Sequence, residues 1–316
     1  MSWTPDPNAF LADLDAKPAS LRALETHLAR DPWRDVPRER RVVLVGMGSS
    51  RFAALPVAGM LRARGLDAIV ERASASVVTP GGPGTLAIGI SASGATPETI
   101  EALVRHRDAG SATVAITNGE GTALAGVADR HLPVLAGEEA GAVACRSFQH
   151  ALAVLLALVD AERAARAVRR AADASEELLE RRDDWVSAAA AVLGDTGPRF
   201  LIAPQARISA ADQGALMFRE GPRLHADACE TGDWLHVDVY LTKPLNYRAI
   251  LFAGSRFDAD VVRWIHDRGG RVLAVGPHPD ADVAVRYRGD DDEDVALLTE
   301  VLVPELLAAE AWRRQA

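Results

Sequence analysis

Three hydroxyl side chains, Ser91, Ser93 and Thr96, fall within six residues between an apolar run, Thr85–Ile90, and a helical pattern that starts at Pro97. Proline suits the first turn of a helix, where its missing N–H is not needed. Backbone N–H groups at a helix start carry partial positive charge and lack intrahelical partners, so they attract an anion. Hydroxyls placed beside them can donate to phosphate oxygens, and Gly94 lets the backbone approach closely. The plain alternative makes Thr96 a simple N-cap, with Glu98 and Thr99 in the first turn. A second loop of the same kind favours the phosphate cradle. The short apolar strand Val42–Val45 runs into Gly46-Met47-Gly48-Ser49-Ser50 and then a helical pattern from Phe52 to Leu61. Gly46 and Gly48 begin like a dinucleotide fingerprint, but the G-x-G-x-x-G spacing fails at Arg51. No acidic residue follows the next strand as ribose recognition requires.

The elements that must hold these loops alternate. Strand-like runs at Val42–Val45, Ala68–Glu71, Thr85–Ile90, Thr113–Thr117 and His131–Val134 are separated by helical stretches from Phe52, Pro97 and Ala123. That rhythm predicts a doubly wound parallel sheet of the α/β class. A long helical region follows, from about Ser147 to Leu193. The pattern then resumes with Arg199–Ala203, a helix from Ser209, Arg219–His225, Ala249–Ala253, a helix from Asp258, and Val272–Val275. Corresponding features recur at an offset of about 160 residues, the mark of an internal duplication. The second half carries Pro204-Gln205-Ala206-Arg207-Ile208 and Gly254-Ser255-Arg256-Phe257-Asp258 where the first has its hydroxyl loops, so one phosphate site per chain is expected.

Composition narrows the function classes. With 316 residues and an ordinary apolar fraction, the chain can build a large core without staples. Its net charge of −9 argues against non-specific binding to nucleic acid or to anionic membranes, yet a buried phosphate held by dipoles and hydroxyls is compatible with it. Arg163, Arg166, Arg169 and Arg170 read as a solvated helix face. The apolar run Ala151–Val159 reads as a buried helix, because about nine residues fall short of the roughly twenty a bilayer needs. The start, with Trp3, Pro5, Asp6 and Pro7, lacks the pattern of a signal peptide, so a cytoplasmic location is expected. Cys145 and Cys229, the two cysteines, form neither a C-x-x-C pair nor a metal-ligand set; Cys145 reads as a small buried or pocket-lining residue, and no metal or cofactor is expected.

Together these residues resemble the sugar isomerase (SIS) domain family, and most closely the tandem-SIS isomerase half of glucosamine-6-phosphate synthases. The resemblance also takes in Ile116-Thr117-Asn118, Ala136-Gly137-Glu138-Glu139, and Phe10-Leu11-Ala12-Asp13-Leu14 leading to Lys17-Pro18. It implies two tandem flavodoxin-like, three-layer αβα domains with parallel sheets. An N-terminal helical segment would cover residues 1–40, a first domain with the phosphate loops 41–165, a helical connector 166–194 and a second domain 195–316. Ser50, Ser91, Ser93 and Thr96 would bind the sugar phosphate, and Gly48, Ser49, Ala92, Gly94, Ala144 and Cys145 would line the pocket. Ala92 stands where the family usually has Gln.

In the second half, Gly214 to Glu220, then His225-Ala226-Asp227-Ala228 and Gly232 to His236, resemble the family segment in which a Glu shuttles protons and a His sixteen residues later opens the sugar ring. Those roles would fall to Glu220 and His236. Aldose–ketose interconversion needs a base that moves a proton between neighbouring carbons through an enediol, and ring opening needs a group titrating near neutrality. Gln213 and Met217 stand where the synthase has a Glu and a Lys. The synthase's Arg- and Lys-containing tail and its glutaminase domain find no counterpart here, so glutamine-dependent amination is not expected. The expected activity is that of a phosphosugar isomerase, an intramolecular oxidoreductase acting on a hexose or amino-sugar phosphate. An amino-sugar phosphate deaminase or deglycase and a silent sugar-phosphate-binding protein are the alternatives. By the same resemblance, the partner is a second copy of the chain, with the active site between subunits.

Overall fold

A computed structural model describes residues 5–315. Trp3, named above at the start of the chain, lies outside the described residues. The chain opens with helices α1 (Pro7–Asp15) and α2 (Lys17–Leu28). Then β1 (Arg41–Gly46), α3 (Gly48–Ala63), β2 (Asp67–Arg72), β3 (Thr85–Ile90), α4 (Pro97–Asp108), β4 (Ala112–Thr117), α5 (Ala123–Val127) and β5 (Arg130–Pro133) alternate. Three helices follow: α6 (Arg146–Val159), α7 (Ala161–Glu180) and α8 (Arg182–Leu193). The remainder is β6 (Arg199–Ala203), α9 (Ile208–Glu220), β7 (Ala226–Glu230), α10 (Thr231–Trp234), β8 (Arg248–Phe252), α11 (Asp258–His266), β9 (Arg271–Val275), β10 (Val283–Val285), α12 (Glu293–Thr299) and α13 (Leu302–Arg313). These elements build two compact units. One comprises Ser20–Glu139 and Ala144–Val168; the other comprises the chain through Ala19, Ala140–Val143 and everything from Arg169 on.

The first unit is organised on a five-stranded, all-parallel sheet of order β2-β1-β3-β4-β5. Residues Val42–Gly46 and Thr85–Ile90 are buried without a break, as a sheet covered on both faces demands. Leu103 of α4 and Leu124 of α5 pack against Ala87 and Ala115 on one face. Helix α6 is buried from Ser147 through Val159, so the apolar run in it is core. Trp33 is anchored there too, its indole N–H donating to the Val154 carbonyl at 2.7 Å. Glu71 does put an acidic residue near the end of β2, against expectation, and it accepts the Thr79 N–H at 2.6 Å.

The second unit repeats the arrangement. Its parallel sheet runs β10-β9-β8-β6-β7, the same order when strands are counted from β6. Phe200, Ile202, Leu251, Trp234, Tyr247, Val261 and Ile265 form one core, with Phe200 and Tyr247 stacked at 4.1 Å between ring centroids. The run Arg219–His225, expected as a strand, is not one. Helix α9 continues through Glu220, with Arg219 Nε donating to the Ala215 carbonyl one turn back, and the edge strand starts only at Ala226, opposite Arg199. Along α7 the buried positions Ala164, Ala167, Val168, Ala171 and Ala172 follow the helical period, which turns Arg166, Arg169 and Arg170 outward as expected and leaves Arg163 half-buried. Among the described residues no helix is long and apolar enough to cross a membrane.

Candidate functional site

Strand order decides where a ligand can enter the first sheet. Helix α3 leads from β1 to β2 at one side, whereas α4 leads from β3 to β4 at the other, so the chain departs in opposite directions from the neighbouring strands β1 and β3. The crevice at the carboxyl ends of such a strand pair is the topological switch point of an α/β sheet. Gly46 and Ile90 end those strands in register. Both hydroxyl loops therefore leave the sheet side by side. A Cβ on Gly46 would lie 3.2 Å from the Ile90 carbonyl oxygen and 3.2 Å from Ser50 Cβ, so the end of β3 and Ser50 both crowd Gly46.

Within the second loop the hydroxyls converge. Ser91 Oγ lies 2.9 Å from Thr96 Oγ1 and 3.4 Å from Ser93 Oγ. The Gly94 N–H donates to Ser91 Oγ at 3.1 Å, and the Ala95 N–H to Ser93 Oγ at 3.2 Å. Gly94 needs its φ of +62°, and a Cβ there would fall 2.4 Å from Thr122. Thr96 occupies the N-cap position of α4, yet its side chain makes no capping bond. The simple capping role is thus not the one it plays. Gly48 and Ser49 open α3, whose N-cap, Met47, also contributes no side-chain bond.

Residues that spacing did not single out hold this loop. Asn118 donates its N–H to the Ala92 carbonyl at 2.9 Å and its side-chain amide to the Gly137 carbonyl at 2.6 Å, while its Oδ1 accepts the Ala136 N–H at 2.9 Å. The resemblance segments around Asn118 and Gly137 are thereby two halves of one clasp. Glu139 accepts the N–H groups of Cys145, Arg146 and Ser147 at 2.7, 2.7 and 3.0 Å, filling the start of α6. Cys145 is fully buried at that start, with Ala144 beside it.

In the second sheet the equivalent crevice lies between β6 and β8, and protein groups occupy it. Arg207 sends Nη2 to the Ala253 carbonyl at 2.5 Å and Nη1 to Glu300 at 2.9 Å. Asp258 accepts the Gly254 and Ser255 N–H groups at 2.6 and 2.9 Å. An internal carboxylate thus takes these loop amides, whereas in the other sheet's loop the Gly94 and Ala95 amides go to the Ser91 and Ser93 hydroxyls.

Glu220 ends α9, and the Leu224 N–H bonds back to the Phe218 carbonyl at 2.9 Å, closing the loop that carries it. Burial pushes the Glu220 carboxyl above its ordinary value, with Arg223 and Arg219 pulling it partly back. His236 lies exposed just past α10 and lines a surface depression of about 470 Å³ together with Tyr240, Lys243, Arg263, Trp264 and Arg268. Glu220 is not among the residues lining that depression. Gln213 and Met217 are fully buried, with Gln213 Nε2 at 3.6 Å from Met217 Sδ. Among the described residues no three of His, Cys, Asp or Glu are grouped to hold a metal ion.

The family model of the SIS domain matches residues 37–161, the stretch with both hydroxyl loops. The isomerizing glutamine–fructose-6-phosphate aminotransferase of Pyrococcus horikoshii is 26% identical over 291 residues, 85% of this chain and 48% of that protein. Its namesake from Aeropyrum pernix is 28% identical over 277 residues, 77% of this chain and 44% of that protein. The chain thus spans less than half the length of these curated relatives. The C-terminal domain of glucosamine-fructose-6-phosphate aminotransferase from Francisella tularensis superposes with a TM-score of 0.78 at 16% identity, over 96% of both chains. Tagatose-6-phosphate ketose/aldose isomerase from Escherichia coli gives 0.77 at 18%, over 98% of this chain and 95% of that one. Glucosamine-6-phosphate deaminase from Thermotoga maritima gives 0.75 at 19%, with the same coverage. At such identities the structural likeness speaks for the fold alone. Residues 37–161 therefore match the SIS domain model, and the chain has the two-sheet α/β fold of these solved structures.

Proposed function

We propose that this protein is a phosphosugar isomerase interconverting aldose and ketose forms of a hexose or amino-sugar phosphate. The observation that carries the reading is the cradle at the first switch point, where Ser91 and Thr96 hydroxyls meet at 2.9 Å while Thr96 leaves the first amides of α4 uncapped. Ser50, Ser91, Ser93 and Thr96 would hold the phosphate, with Gly48, Ser49, Ala92 and Gly94 around it. Glu220 would shuttle the proton through an enediol, and a carboxyl raised by burial suits that work because a base is most effective with its pKa near the working pH. His236 would open the ring. The repeated strand order supports a second SIS domain in the second unit, and that unit's filled crevice supports a single phosphate site. A homodimer in which His236 serves the partner's site fits its exposed position and the absence of Glu220 from the depression that His236 lines.

One observation favours a second reading, that of a binding protein without turnover: Gln213 and Met217 put no charge on the buried face of α9. Thermal denaturation against a panel of sugar phosphates tests the shared first step. A ligand at a hundred times its dissociation constant stabilises by about 2.7 kcal/mol. Hexose or amino-sugar phosphates should raise the transition and free sugars should not; equal effects of both would remove the phosphate cradle.

A further inference from the structure

A cavity of about 370 Å³ opens in the second unit, within the size range of small-molecule sites. Leu193, Phe218, Leu224 and Leu307 give it an apolar wall, and Arg199 lines it as well. Arg199 is only 2% exposed. Its Nη1 and Nη2 donate to the Gly197 and Gly194 carbonyls, each at 2.8 Å, and its guanidinium sits 5.6 Å from the Phe218 ring centre. Its Nε is buried with no partner. Among the described residues no carboxylate lies within ion-pair distance of it.

That situation is unlike the other buried cations. Lys17 is paired with Glu305 and Arg207 with Glu300. A charge withdrawn from water is costly unless it is paired and hydrogen-bonded, and two carbonyls and a ring supply only partial negative charge. Burial accordingly pulls the Arg199 guanidinium below its ordinary value, with Asp195 opposing. Asp195 and Glu310 line the cavity too, but they engage Arg314 at 3.6 and 3.0 Å, and Asp195 acts on Arg199 only from beyond ion-pair distance. A guanidinium has five N–H donors, and two carbonyls use only part of that set.

We propose that this cavity binds a small monocarboxylate with an apolar body, its carboxylate serving as the counter-ion of Arg199 and its hydrocarbon lying against Leu193, Phe218, Leu224 and Leu307. The site stands apart from the sugar-phosphate reading, and neither depends on the other. Titration calorimetry of the full chain with hexanoate and 3-phenylpropionate, set against 1-hexanol and 3-phenylpropanol, tests it. The carboxylates should bind at least about tenfold more tightly than the alcohols, a difference of about 1.4 kcal/mol. Nitrogen-15 amide shifts should move at Leu193, Phe218 and Leu224. Replacing Arg199 removes its hold on two carbonyls and can unfold the region, so Ala311→Phe, which fills the cavity and keeps Arg199, is the better variant. It should abolish carboxylate binding. Alcohols binding as tightly as carboxylates, no saturable binding of either acid, shifts centred elsewhere, or undiminished binding in Ala311→Phe would each overturn the proposal.

Discussion

Asp258 Oδ2 accepts the Gly254 N–H at 2.6 Å, and so places a carboxylate of the chain itself on the loop that follows β8. The same carboxylate oxygen takes the Ser255 N–H at 2.9 Å. Asp258→Ala should cost roughly 1–3 kcal/mol, since it strands two amides in a mostly buried position. Sulfate or phosphate should restore part of that loss in the variant and leave the parent protein unmoved by comparison. Urea unfolding with and without phosphate decides it; a variant no more phosphate-responsive than the parent would show that the Asp258 carboxylate is not standing in for an anion.

The cradle makes the complementary prediction. Ser91→Ala and Thr96→Val should each weaken sugar-phosphate binding about tenfold, the size expected for loss of one hydrogen bond to a charged group. Calorimetry with the tightest sugar phosphate found in the thermal screen reads this directly. Unaltered affinity in both variants would mean that the hydroxyls serve only the loop's own hydrogen bonds.

Much of this architecture is legible in the residues. Uninterrupted burial of Thr85–Ile90 matches its unbroken apolar run, and the offset between halves reappears as one strand order used twice. The failure at Arg219–His225 has a local cause: a charged, proline-containing run after a helix has no period of its own, and only the pairing of Arg199 with Ala226 fixes where the strand begins. The roles of Asn118, Glu139 and Asp258 were hidden for a related reason. Each acts on backbone amides or carbonyls of another segment, or on a turn whose geometry residue types do not specify. Ser91, Ser93 and Thr96 could be found because hydroxyl density between a strand and a helix is visible along the chain.

Lys17 and Glu305 form a fully buried ion pair. Breaking such a pair from one side costs about 3–5 kcal/mol, because the remaining charge stays buried, whereas an apolar pair of similar volume is often neutral. Lys17→Met alone should therefore destabilise more than Lys17→Met combined with Glu305→Leu. Chemical denaturation of both variants checks the order, and a double variant weaker than the single one would show that Glu305 is held by its other contacts.

Glu300 gives the fold a pH dependence. Burial pushes its carboxyl up to about 8 despite Arg207, with Glu293, Asp258 and Asp290 adding to the rise. An acid whose folded value exceeds its unfolded value binds more protons in the native state, so stability falls as pH rises between the two. The window runs from about 4.5 to about 8. Glu300→Gln should flatten the decline in thermal stability across it, and an identical slope in parent and variant would place the pH dependence elsewhere.

The central claim is that Glu220 moves a carbon-bound proton of a sugar phosphate. Incubating the protein with candidate hexose and amino-sugar phosphates in deuterated water, and following label at the carbon next to the carbonyl by NMR, tests it most directly. The parent protein should exchange that proton, faster as pH rises through a carboxyl that burial holds above its ordinary value. Glu220→Gln should lose the exchange by at least about a hundredfold while binding the sugar phosphate as before, since a general base acts in the transition state and not in anchoring the phosphate. Exchange undiminished in Glu220→Gln, or no exchange by the parent with any sugar phosphate it binds tightly, would contradict the account.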